Sequence, residues 1–152
     1  SDVCSSDLNA YPFSADSMWS YQQIHDDLAG RPRLISELAL RPENNSPNSA
    51  CTMSLTLRLS TTPVPSAGAM TLFSANHGSD LTEVLTRTAI NWPGTTGPSN
   101  PAIFPFALPF PARPFLYKNT GGLCWEVRIH SNSLGSTWAS RDAHQPAFIG
   151  TK

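Results

Sequence analysis

Thr52-Met53-Ser54-Leu55-Thr56-Leu57-Arg58-Leu59-Ser60 alternates polar and apolar side chains without a break. Successive residues of an extended chain point to opposite sides. Met53, Leu55, Leu57 and Leu59 therefore share one face, and Thr52, Ser54, Thr56, Arg58 and Ser60 share the other. A helical period would scatter the leucines around the axis. The stretch predicts a strand with one face on a core and the other toward water. Leu123–His130 has the same period, with Leu123, Trp125, Val127 and Ile129 opposite Cys124, Glu126, Arg128 and His130.

Weaker strand patterns surround these two. Trp19–Ile24 (WSYQQI), Leu81–Ile90 and Phe115–Tyr117 all read as extended. Ile103–Leu108 carries Pro105, which lacks a ladder donor, so it predicts an edge strand or a bulge. Leu34–Arg41 (LISELALR) fits a strand or two turns of helix, because Leu, Glu and Ala favour helix, and Pro42 ends either one. Met70–His77 (MTLFSANH) predicts one short helix, with Ser66 or Thr71 as its cap and Gly78 left-handed past its end. Residues 43–50, 61–68, 92–101 and 119–122 are rich in Pro, Gly, Asn and Ser and read as loops and turns. After Ser131 the pattern fades, leaving Trp138 and Phe148 as its large apolar residues. Short strands, frequent turn signals and at most one short helix predict an all-β, antiparallel β-sandwich.

Apolar residues make up 39% of the chain, which excludes a disordered composition. Charged residues make up 14%, against roughly 25% in typical globular domains. The net charge is -1, so the strongly basic balance expected of a nucleic-acid binder is missing. No apolar run approaches the roughly 20 residues a membrane-spanning helix needs. Ser1–Leu8 resembles the in-frame translation of a sequencing-adapter oligonucleotide, which implies a non-native segment, 1–8, ahead of a single β-sandwich domain, 9–152. The expectation is a fragment, incomplete at one or both ends. Setting aside Asp2 and Asp7 leaves 9 acidic residues against 10 basic ones, a net charge of +1.

Several stretches occur in a familiar order: YQQ at Tyr21–Gln23, ISELALR at Ile35–Arg41, LRLSTT at Leu57–Thr62, FSANHGSD at Phe73–Asp80, PFALPFPARPFLY at Pro105–Tyr117 and GLCWEVR at Gly122–Arg128. This order resembles a group of bacterial secreted proteins. Many of them carry a C-terminal surface-sorting tail of the Pro-Glu-Pro type, and others come from planctomycete-like genomes. The resemblance spans roughly residues 18–142. It implies an extracellular, jelly-roll-like sandwich, secreted or at the cell surface, and no known activity. The sorting tail has no counterpart in this sequence.

Candidate functional residues are few. His25-Asp26-Asp27 offers oxygen and nitrogen ligands in a loop, yet two adjacent Asp residues rarely converge on a cation alone, so no metal or cofactor is expected. Asn76-His77-Gly78-Ser79-Asp80 has turn chemistry or a ligand site. The four His, at 25, 77, 130 and 144, lack metalloprotease spacing, and no G-x-S-x-G elbow is present. Glu37, Glu83 and Glu126 are the candidate carboxylates for a carbohydrate-active hydrolase or lyase, although Glu126 next to Arg128 reads more simply as a same-face ion pair. Trp92 and Trp138 sit in loop-like contexts. They are candidates for stacking on sugar rings, or else they plug the ends of the core. Cys51 and Cys124 could pair in an extracellular setting or stand as independent thiols. The leading expectation is a non-enzymatic module that is carbohydrate-binding or adhesive, with extracellular polysaccharide as its partner.

Overall fold

A computed structural model describes residues 8–9, 19–28, 31–40, 49–95, 106–134, 141–142 and 149–151. Among these, the strands in chain order are β1 (Leu8–Asn9), β2 (Trp19–His25), β3 (Arg33–Ile35), β4 (Glu37–Leu40), β5 (Cys51–Thr62), β6 (Thr82–Trp92), β7 (Phe106–Pro109), β8 (Phe115–Tyr117), β9 (Gly122–Asn132), β10 (Arg141–Asp142) and β11 (Ile149–Thr151). Every pairing between them is antiparallel. The protein is all-β, with one helical turn, α1 (Phe73–Asn76), and a 3-10 turn at Ser66–Gly68. Of Ser1–Leu8, only Leu8 is described, paired in register with Asp142.

The central sheet has the order β11-β2-β9-β5-β6. The period read from β5 and β9 sets its inner face: Met53, Leu55, Leu57, Leu59, Leu123, Val127 and Ile129 are each at most 3% exposed. Two ribbons, β3-β8 and β4-β7, contribute Phe106, Leu108, Phe115 and Tyr117 to the same core. The Phe110 N–H donates to Ser36 O at 2.8 Å and links the ribbons. The expected strand or helix at Leu34–Arg41 resolves, through Leu40, into β3 and β4, because cross-strand pairing with β8 and β7 outweighs the helix propensity of Leu, Glu and Ala. Pro105 lies outside the described residues.

The outer faces depart from expectation. Ser60, Thr56, Cys124 and Glu126 are buried although they lie on the side assigned to water. Ser60, Cys124 and Glu126 are covered by the connection between β5 and β6, residues 63–81, which folds back across the sheet as a strap, whereas Thr56 lies beyond it, bonded to Arg87 and His130. The helix expected at Met70–His77 shrinks to the single turn α1 within that strap. Neither Ser66 nor Thr71 caps it: its N-cap is Leu72, with no side-chain cap bond. Gly78 is also needed for a different reason than a left-handed cap. A Cβ there would stand 1.8 Å from Thr61 O, so only glycine lets the strap approach β5.

Candidate functional site on the outer face of the sheet

Cross-strand register arranges the outer side chains in rows. Gln22, Glu126, Arg58 and Glu83 are successive partners across β2, β9, β5 and β6. One row along, Ser20, Arg128 and Thr56 align. The strap covers the rows at Gln22 and Ser60, whereas among the described residues the row at Arg128 is open.

The covered half is a closed polar network. The Asn76 amide mimics a backbone pair: its Oδ1 accepts Met70 N–H at 2.7 Å, and its Nδ2 donates to Met70 O and Gln22 Oε1, each at 2.7 Å. This fixes Gln22, whose Nε2 donates to Phe73 O at 3.2 Å and lies 3.0 Å from His77 Nε2. Thr62 Oγ1 donates to Asn76 O and accepts Val64 N–H at 3.0 Å. His77 spans Ser60 Oγ at 2.8 Å on Nδ1 and Glu126 Oε2 at 2.9 Å on Nε2. With Nε2–H donating to the Glu126 carboxylate, Nδ1 accepts the Ser60 hydroxyl, and Ser60 Oγ is left to accept Gly78 N–H at 3.2 Å.

Ser60, His77 and Glu126 form a hydroxyl–imidazole–carboxylate chain of the kind that activates a nucleophile. Here it fastens the strap. Ser60 is 0% exposed and its oxygen is held by Gly78 N–H, so a substrate cannot reach the hydroxyl. Cys124 lies in the same covered region, where burial, reinforced by the Glu126 charge, pushes its thiol up to about 12. The thiol is free and inert. Cys51 and Cys124 do not bridge to each other: Cys51 begins β5, while Cys124 pairs with Ser60 near its other end, about 30 Å away at a strand's rise of roughly 3.3 Å per residue.

At the boundary, Arg58 Nη1 donates to Glu126 Oε1 at 3.4 Å and Arg58 Nε donates to Glu83 Oε2 at 3.1 Å. The expected pair of Glu126 with Arg128 gives way to Arg58 and His77, because Glu126 is buried under the strap and Arg128 is exposed. The Thr86 hydroxyl, bonded to Glu83 Oε1 at 2.8 Å, and the Arg58 and Arg113 cations hold the Glu83 carboxyl below the usual range against the opposing effect of burial.

The open half centres on Thr56, which lies between two bulges. On one side β6 has an extra residue between the partners of Leu55 and Leu57, and on the other β9 has one between the partners of Ser54 and Leu55. The first holds Arg87 at φ 41°, in the left-handed region that non-glycine residues seldom occupy. Its N–H donates to Thr56 Oγ1 at 3.2 Å. The second places His130, whose Nε2 lies 2.9 Å from the same oxygen. Thr56 Oγ1 thus accepts from Arg87 and is bonded to His130, the direction of the second bond following the ring's tautomer. Burial, then the Arg87 and Arg128 cations, depress the His130 pKa, with Glu83 opposing.

Other candidates fall elsewhere. Trp92 is 3% exposed, its indole N–H donating to Ala107 O at 3.0 Å and its ring tilted on Phe106, so it closes the core and cannot stack on a sugar. Trp138 lies outside the described residues. Glu37 is exposed on β4, apart from Glu83 and Glu126. Asp26 Oδ2 accepts Ser66 N–H at 2.7 Å at the start of the strap, and His25 Nε2 accepts Trp125 Nε1–H at 3.1 Å. Asp26, Pro63, Pro65, Tyr117 and Gly121 line an open groove of about 530 Å³, but the Tyr117 hydroxyl is spent on Gly121 O at 2.6 Å. Among the described residues, no group of three or more His, Cys, Asp or Glu could hold a metal ion.

Neither Arg87 nor Thr56 stood out in the sequence, although one signal was present. Val84 and Leu85 are adjacent and both apolar, which breaks the period of two of a strand with one face toward water. Comparison of the chain with protein-family models, curated proteins and solved structures finds no match.

Proposed function

We propose that this chain is a non-catalytic module, secreted or displayed at the cell surface, that contacts extracellular polysaccharide through the open half of its outer sheet face. The observation that carries this reading is the division of that face. The hydroxyl–imidazole–carboxylate chain is sealed beneath the strap, while Thr56, Arg87, Arg128 and His130 stand on a rigid sheet beside it. Side chains fixed on strands hold their geometry better than side chains on loops, which suits recognition. The contacts on offer are hydrogen bonds and charges, since Trp92 is withdrawn into the core. The order of segments resembling secreted sandwich proteins supports the location. A panel of immobilised polysaccharides tests the reading: binding is expected to at least one, and to weaken in Arg87→Asn. A folded protein that binds none would overturn it.

A hydrolase or lyase is the second reading, because Glu83 and Glu126 flank Arg58 in one row. A glycosidase pairs a carboxyl acid with an ionised carboxylate, and Glu83, held down, fits the second of these and not the first. Release of new reducing ends from a bound polysaccharide, lost in Glu83→Gln, would favour it over the module.

A further inference from the structure

The rows of the sheet say more about the ligand than that it is a glycan. The chain as a whole is slightly acidic, with a net charge of -1. Positive charge is nevertheless gathered at one place. Arg87 on β6 and Arg128 on β9 are both exposed, and both act electrostatically on His130, which lies between the pairing partners of Ser54 and Leu55. β5 separates β6 from β9, so the two arginine backbones stand about two strand spacings apart, roughly 10 Å. Glu83 is the carboxylate whose charge opposes them at His130, and it is already bonded to Arg58 and Thr86. The bulge at Arg87 aims its main-chain N–H at Thr56, which fixes the backbone from which the guanidinium extends. His130 Nε2 is engaged by Thr56 Oγ1 at 2.9 Å, which leaves Nδ1 as the ring nitrogen to meet a ligand.

We propose that this open half binds an acidic glycan, with the Arg87 guanidinium receiving a carboxylate or sulfate group and His130 and Arg128 lining the path of the chain. The inference rests on the polysaccharide-binding reading and narrows it to anionic chains. A guanidinium fork meets the two oxygens of such a group with parallel hydrogen bonds. Because the chain's 10 basic and 11 acidic residues nearly balance, general attraction adds little to capture of a polyanion, and this local patch has to supply it.

The test is calorimetric titration at pH 7 with three probes: an oligogalacturonate, dextran sulfate and neutral dextran. The variants are Arg87→Asn, whose side chain tolerates positive φ, and Arg33→Gln, exposed on β3 in a separate ribbon, as a charge-matched control. Melting curves establish that both fold. At least one anionic probe is expected to bind, neutral dextran is not, and Arg87→Asn is expected to lose about tenfold or more in affinity, the worth of one charge-assisted bond. Arg33→Gln is expected to keep the affinity within about twofold. Equal affinity for dextran and the anionic probes would overturn the inference and leave the module reading intact. Anionic binding unchanged in Arg87→Asn, or weakened equally by both variants, would overturn the assigned site. Failure of all three probes, while the immobilised panel gives a neutral binder, would overturn the inference alone. Failure of the panel as well would overturn both.

Discussion

Asn76 is the residue on which the strap turns. Its side chain makes three bonds at 2.7 Å, two of them to the main chain of Met70, and it is fully buried. Removing it strands buried partners, at about 1–3 kcal/mol for each one left unpaired. Asn76→Ala is expected to lower stability by at least about 2 kcal/mol in urea titrations, and a change under about 0.5 kcal/mol would show that the network does not hold the strap. Cys124 offers a second check. Burial raises its thiol to about 12 and the residue is 0% exposed, so iodoacetamide at pH 8 is expected to modify Cys124 only after unfolding, as read by peptide mass mapping. Protonation follows the same geometry. The His130 and Glu83 pKa values both lie below their ordinary ones. The folded state therefore gives up these protons more readily than the unfolded chain. The stability each contributes is present above its unfolded value, near pH 6.5 for His and 4.5 for Glu, and is lost as pH falls through the folded one. The wild-type melting temperature is expected to drop from pH 7 to 5 more than that of His130→Gln.

At the scale of elements, β5 and β9 were legible from their alternation, because one face of each packs on the core. Leu57→Asp and Val127→Asp are expected to abolish soluble folding, since an unpaired buried carboxylate costs several kcal/mol against a total of roughly 5–15. Arg128→Ser, on the exposed side, is expected to be tolerated for folding. Equal tolerance of all three would contradict the inner-face assignment. The outer face was not legible. Whether Ser60 and Glu126 meet water depends on where residues 63–81 travel, and that path is set by bonds to residues distant in sequence, such as Gln22 and Glu126. The Phe73–Asp80 stretch signalled a turn, but not that the turn would lie across β5, β9 and β2. Trp92 misled because it ends β6 and packs inward, while the Pro93-Gly94 that follows looks like a loop. The strap's close approach gives its own prediction. Gly78→Ala and Gly121→Ala would place a Cβ 1.8 Å and 2.1 Å from main-chain oxygens. Each is expected to cost about 1–3 kcal/mol or more, as overpacking does.

At the scale of the molecule, one sheet serves two purposes through its two faces. The inner face, with the β3-β8 and β4-β7 ribbons over it, is the core. The outer face is half sealed and half open, and the boundary runs along Arg58 between Glu126 and Glu83. The sealed half keeps reactive groups from solvent, and the open half presents cations on a chain of nearly balanced charge. The central claim is this division, and amide chemical-shift mapping during titration with oligogalacturonate tests it most directly. Perturbations confined to Ser54, Thr56, Arg87, Arg128 and His130, with Ser60, Asn76 and His77 unmoved, are the predicted result. Perturbations centred on the strap, or on the groove between Asp26 and Gly121, would contradict it.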